Sequence, residues 1–175
     1  LVEVQGYVYA ALRAGADLAI ALDRRDAASD WLDQANRLRR RFHEVFWLRE
    51  TSTYALALDG NKRPCAVVAS NAGHALFAGI ALEEVAGTLA DRLMTPSMVT
   101  RWGLRTLARG QPRYNPMSYH NGSIWPHDTA LVAIGLARYG YKHASASLAD
   151  RLFNAAIHLE GMRMPELFCG FDSSR

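Results

Sequence analysis

An all-α fold built from helical hairpins follows from three features of the 175-residue sequence. Apolar residues recur at three- and four-residue steps over most of its length. The breaks between these segments are short, as in antiparallel helix pairs. No stretch alternates apolar and polar residues for long enough to call for a sheet.

The first segment, residues 4–22, is Ala-rich, with small side chains that allow close helix contact. The next, DAASDWLDQANRLRRRFHEVFW, places Asp26 at its N-cap and further acids in its first turns. Its apolar positions Trp31, Ala35, Leu38, Phe42, Val45 and Phe46 line one face. Only Asp23, Arg24 and Arg25 separate the two, so they pair as a hairpin. Residues 51–63 change character: a brief extended run, the turn Asp59-Gly60-Asn61 and then Pro64 predict a loop or small hairpin. Helices are expected again over 70–81, with Asn71 near the cap, and over 82–94. Thr95-Pro96 reads as the cap and first position of a short helix. Two further helices, over 124–139 and 143–159, precede a non-helical coda, Met164-Pro165-Glu166-Leu167-Phe168-Cys169-Gly170-Phe171. Six or seven helices result.

Half the residues are apolar or aromatic and 21% are charged, a globular composition that fits one domain over 1–175, or a piece of a larger one. No apolar run approaches the ~20 residues that span a bilayer, because Arg13, Asp17 and Asp23 interrupt the richest one. Leu1 reads as a cut or processed edge, since the start has neither an initiator Met nor a basic signal-type region. The isoelectric point near 9.1 reflects an excess of only +3. The basic cluster Arg37, Arg39, Arg40 and Arg41 points around a helix, so it is a solvated face and no nucleic-acid stripe. Cys65 and Cys169 lack metal-type spacing and sit among apolar neighbours, which predicts reduced, buried or half-buried thiols and a cytoplasmic protein. Neither a metal nor a cofactor is called for.

Residues 101–122, RWGLRTLARGQPRYNPMSYHNG, are the least regular stretch, and so long a loop in a helical domain is usually functional. Sugars offer hydroxyl pairs and apolar C–H faces, which suit planar hydrogen-bonding groups beside aromatic platforms. Tyr119, His120, Asn121, Trp125 and His127 supply those types within nine residues. The plainer alternative leaves Ser123 and Asp128 as cap and dipole residues of the next helix, with Pro126 in its first turn. Glu166, between Pro165 and Leu167, is a carboxylate in apolar surroundings, which suits acid–base work, or else it pairs with Arg163 or Arg151. Glu3 is either a helix-start acid or a sugar contact. Trp102 and Arg105 offer a second platform and a hydroxyl clamp.

The segments LVEVQGYVYAAL, SNAGHALFAGIA, WGLRTLA, YNPMSYHNGSIWPHDTALVAIGL and MPELFCGF, in that order, resemble bacterial amylo-α-1,6-glucosidases, the glycogen-debranching-type glycosidases. The resemblance covers residues 2–171. It implies an (α/α)6 toroid, of which this chain would supply the C-terminal half, and inverting hydrolysis of α-glucosidic bonds by two carboxyl groups. Glu166 matches the position of the family's general base. His120, Trp125, Tyr119, Asn121, Trp102, Arg105 and Glu3 are the expected sugar contacts. The family's general acid is an aspartate in a Trp-Lys-Asp-like motif that none of Asp17, Asp23 or Asp128 matches, so the isolated chain is expected to be inactive. An α-glucan or a small α-glycoside is the expected partner, and exposed half-toroid faces predict self-association. Two alternatives stay open: a sugar epimerase with His74, His120 and His127 as proton carriers, and a helical interaction module without catalysis.

Overall fold

The computed structural model describes residues 1–171; the last four positions of the expected domain lie outside the described residues. Six α-helices are present among them: α1 (Val2–Ala21), α2 (Arg25–Phe46), α3 (Gly73–Ala78), α4 (Glu83–Leu93), α5 (Pro126–Arg138) and α6 (Lys142–Ala156). Short 3₁₀ turns, Ser70–Ala72 and Glu160–Met162, add to these. Helix α1 packs on α2 and α3, α3 on α5, and α5 on α6, so the helices form a row, α2-α1-α3-α5-α6. The hairpins expected for 4–47 and 124–159 are both observed.

Helix α2 buries Ala28, Ala35, Phe42 and Phe46, a spacing that keeps one face toward the core. Asp26 lies inside its first turn, with Arg24 at the N-cap. The main core gathers Phe42, Phe46, Tyr54, Leu76, Ile80, Leu89, Leu93, Met98, Leu104, Val132, Leu136 and Leu148. Arg39 departs from the solvated face expected of it. It reaches across to donate to the carbonyls of Ile80 and Ala81, buried residues just past the end of α3.

Several local expectations are corrected. The expected turn at Asp59-Gly60-Asn61 is present, closed by the antiparallel bridge of Leu58 with Pro64, but a hairpin the sequence did not suggest precedes it, with β1 (Trp47–Leu48) pairing antiparallel with β2 (Thr53–Tyr54). The helix over 70–81 is a 3₁₀ turn followed by the six residues of α3. Thr95-Pro96 begins no helix; the Thr95 hydroxyl donates back to the Arg92 carbonyl, and Met98 and Val99 donate to the Thr95 carbonyl, which makes a turn. Cys65 and Cys169 are both exposed free thiols, because each lies on a loop rather than on the core face of an element. No described helix is long and apolar enough to cross a membrane.

Two features position the site. Helix α5 approaches α3 closely at Gly135, where an added Cβ would stand 2.5 Å from the Phe77 nitrogen. Only glycine fits there. The irregular loop is in turn stitched by isolated β-bridges, Ala69 to Leu107, Arg105 to Ile124 and Ile124 to Phe168. Ile124 and Phe168 exchange both backbone hydrogen bonds, at 2.9 and 2.8 Å, which ties the coda to the 114–125 loop. Gly170 donates to the Pro116 carbonyl at 2.8 Å, and a side chain there would collide with the Gly122 carbonyl.

Candidate active site

The seam between coda and loop brings Glu166 to Tyr119. The Tyr119 hydroxyl donates to Glu166 Oε1 at 2.6 Å. That bond to a carboxylate raises the Tyr119 pKa above its ordinary value, which keeps the phenol protonated and donating. Glu166 itself is exposed and pairs with neither arginine considered for it among the contacts seen; Arg151 donates instead to the Thr100 carbonyl.

Tyr119 is the corner of an aromatic cluster. Its ring meets His120 edge-on at 4.5 Å and Trp125 edge-on at 5.0 Å. His120 and Trp125 stack at 5.5 Å with only 9° between their planes. The indole N–H donates to the Tyr119 carbonyl at 3.0 Å and to Ser123 Oγ at 3.2 Å, so the Trp125 plane is held by its own loop. Ser123 is thereby a loop brace, not a helix cap, its hydroxyl donating to the Tyr119 carbonyl at 2.7 Å.

His120, Asn121 and Trp125 line one cleft of about 390 Å³ together with Glu3, Ser70, Asn71, His74, Thr106 and Asp128. Glu3 arrives from the first turn of α1, His74 from α3 and Asp128 from α5. Four of the expected contacts, Glu3, His120, Asn121 and Trp125, therefore share a cavity. Tyr119 and Glu166 do not line it; Tyr119 touches two of its lining rings, His120 and Trp125, and Glu166 reaches the cluster through Tyr119.

Arg105 and Trp102 do not share it. Arg105 is fully buried, and its guanidinium donates to the carbonyls of Gly170, Pro96, Ser97 and Val99. The expected hydroxyl clamp is instead a staple holding main chain, because a buried cation needs acceptors and the converging loop ends supply them. Trp102 stacks on Phe168 at 6.1 Å and meets His158 edge-on at 5.8 Å, with the Arg101 guanidinium 4.0 Å above its ring. It lines a separate hollow with His143, Asp150 and Arg151.

The local reading of the sequence missed a relay that is buried at His74 and Asp128. Tyr7 Oη lies 2.6 Å from His74 Nδ1, and His74 Nε2 lies 2.6 Å from Asp128 Oδ1. A carboxylate only accepts, so Nε2–H donates to Asp128 and Nδ1 accepts from the phenol. Burial chiefly, then the charges of Glu3 and Asp128, raises the Tyr7 pKa and keeps that phenol a donor. Asp128 is thus more than the dipole residue its position suggested. The signal available in sequence was a histidine among the small residues of SNAGHALF, where little else is polar. His127 faces the groove between α5 and α6, away from His74 and His120, so the three histidines of the epimerase alternative do not meet in one place.

The row of helical hairpins matches part of the (α/α)6 toroid of solved glycosidase structures, which fixes the fold class. The chain belongs to the mannosylglycerate hydrolase MGH1-like glycoside hydrolase domain family, which it matches over residues 2–169. It is similar to the GH63 mannosylglycerate hydrolase from Thermus thermophilus in complex with glucose, at 26% identity and a TM-score of 0.76, over 97% of this chain and 41% of that one. It also shares its fold with neutral trehalase Nth1 from Saccharomyces cerevisiae, at 18% identity and a TM-score of 0.80, over 97% of this chain and 34% of the other. No curated protein matches in sequence. The chain thus spans about 40% of the length of the mannosylglycerate hydrolase structure. The glycosidase class and partial toroid expected from the sequence hold, while the family match falls on mannosylglycerate hydrolase-like domains and not on debranching enzymes.

Proposed function

We propose that this chain forms the base-bearing side of an inverting glycosidase site for small α-glycosides, α-mannosides or α-glucosides, with Glu166 as general base. The observation that carries this is the Tyr119–Glu166 hydrogen bond, which joins a carboxylate to an aromatic wall of the kind that stacks on sugar rings. The family and the glucose-bound relative point to a carbohydrate ligand. A cleft of about 390 Å³ suits one sugar ring with a small aglycone better than a branched polymer. An α-1,6-linked glucan is the narrower form of the same chemistry.

In such a reaction Glu166 takes a proton from water on one face of the ring while a second carboxyl, roughly 6.5–9.5 Å away, protonates the leaving oxygen. No aspartate of this chain matches the acid motif of the glycosidases it resembles. The chain alone is therefore unable to expel an alkoxide efficiently, because losing acid assistance costs ~10²–10⁴-fold. Fluoride is different: it departs without being protonated. The test is fluoride release from α-mannosyl fluoride and α-glucosyl fluoride, with the anomer of the product followed by NMR. The expected result is release of the β-hexose, reduced at least ~10²-fold by Glu166→Gln, with mannosylglycerate, maltose and isomaltose left intact. Release no faster than background, an α-product, or equal rates in Glu166→Gln overturns the proposal.

A further inference from the structure

The floor of the cleft contains two carboxylate oxygens that the fold leaves unsatisfied. Asp128 is buried; its Oδ1 accepts from His74 while Oδ2 is enclosed and without a partner. Glu3 Oε2 is in the same condition. Both residues line the cleft. A buried charged acceptor without a donor is costly, and native structures rarely tolerate one unless something else supplies the hydrogen bond.

The surrounding geometry holds these oxygens in place. Glu3 and Tyr7 lie one turn apart on α1, on the same helix face. Tyr7 engages His74, and His74 engages Asp128, so the Asp128 carboxylate cannot rotate without breaking the relay. Helix α3 is short and is pressed against α5 where Gly135 admits it, which sets the separation of His74 from Asp128. Rigid, acceptor-only groups of this kind call for a ligand that brings donors. The other polar linings, Ser70, Asn71, Thr106 and Asn121, are neutral hydrogen-bonding groups. Among the described residues no group of three or more His, Cys, Asp or Glu side chains could hold a metal ion. A polyhydroxylated ring fits this set: hydroxyls for the carboxylates and C–H faces for the stacked rings.

We infer that Asp128 Oδ2 and Glu3 Oε2 form the hydroxyl-accepting floor of the sugar cleft, each receiving one O–H of the ring that packs against Trp125, with His74 and Tyr7 as positioning residues. This rests on the cleft being a sugar site. It adds a specificity device: the site discriminates against sugars that lack the hydroxyls facing the floor, because each missing O–H returns a buried carboxylate oxygen to its orphaned state.

The test uses the 175-residue chain with glucose and the monodeoxyglucoses as probes. Binding is read at the indole N–H signal of Trp125 by NMR titration, so that a sugar bound elsewhere is not counted. Asp128→Asn suits the purpose, since its amide oxygen still accepts from His74 while the second atom becomes a donor. Glu3→Gln does the same at the helix start and covers the case in which Asp128→Asn fails to fold, judged by circular dichroism. Each variant is expected to weaken glucose about tenfold or more, as for hydrogen bonds to charged groups. At least one deoxyglucose is expected to lose about as much on the unaltered chain and little further on the variant, since the two deletions remove the same bond. Glucose binding, read at Trp125, equal to that of the unaltered chain in both variants overturns the floor and leaves the sugar site standing. A Trp125 signal that glucose never shifts overturns both.

Discussion

Replacing Gly135 by alanine probes the contact that brings His74 and Asp128 together. A Cβ at this position would lie 2.5 Å from the Phe77 nitrogen and 2.9 Å from the Leu76 carbonyl carbon. These are backbone atoms, so α3 must retreat by roughly an ångström to restore ordinary contact. Overpacking of this kind costs about 1–3 kcal/mol, offset by up to about 1 kcal/mol from replacing glycine inside a helix. The net expectation is a loss of about 1–2 kcal/mol, or ~2–8 °C in melting temperature for a chain of this size. Gly87→Ala in α4 is the matched control. There the nearest atom is the Tyr141 hydroxyl at 3.0 Å, the free end of a side chain that can move, so the helix gain should prevail. Differential scanning calorimetry of both variants decides the matter. A Gly135→Ala protein that melts at or above Gly87→Ala refutes the close-approach account of α3 and α5.

Three further outcomes are expected. Burial raises the Tyr139 phenol to about 12 and raises that of Tyr54 as well, from 10.0 when unperturbed. The unfolded chain loses these protons first, so stability is intact below pH 10 and falls as pH climbs from 10 toward 12. Tyr139→Phe should flatten that fall while costing about 1 kcal/mol at neutral pH through its lost bond to the Ala81 carbonyl, as urea midpoints at both pH values will report. His120→Ala and Trp125→Ala should each weaken malto-oligosaccharide binding by about tenfold, since each removes one ring of the stacked pair; calorimetric titration giving unchanged affinity for both counts against the aromatic wall. Ile134, Phe153, Ile157 and Met162 are all more than half exposed, so the chain should self-associate with rising concentration and Phe153→Asp should reverse it; light scattering showing a monomer throughout opposes this.

What could be read from the residues divides along the range of the interactions. The helices were legible because their signal is local: apolar steps through Ala35, Leu38 and Phe42 describe a face that the fold then buries or half-buries, with Trp31 left exposed at its edge. The loop chemistry of Tyr119, His120, Asn121 and Trp125 was legible for a similar reason, since a few adjacent residues make the whole wall. The seam was not. Ile124 pairs with Phe168 across the whole of α5 and α6, and nothing in either short segment encodes its partner. Arg105 reads as a hydroxyl clamp in the sequence because the carbonyls it serves come from Gly170 and from the turn at 96–99, each unremarkable alone. Asp128 was likewise read by its place in the first turn of α5, where an acid is ordinary. Its real partner, His74, is 54 residues away and becomes a neighbour only through the glycine contact of α3 with α5. The thiols mislead in the opposite sense: apolar neighbours in sequence do not bury a residue whose loop turns outward.

A crystal structure of the chain with β-glucose, the anomer an inverting enzyme releases, puts the assignment of Glu166 to the most direct test. The anomeric hydroxyl of that product occupies the place of the attacking water. The sugar is expected to stack on Trp125 with this hydroxyl within hydrogen-bond reach of the Glu166 carboxylate, still held by Tyr119. A ring seated in the cleft with Glu166 turned away and beyond the reach of a bridging water would contradict the assignment of the base.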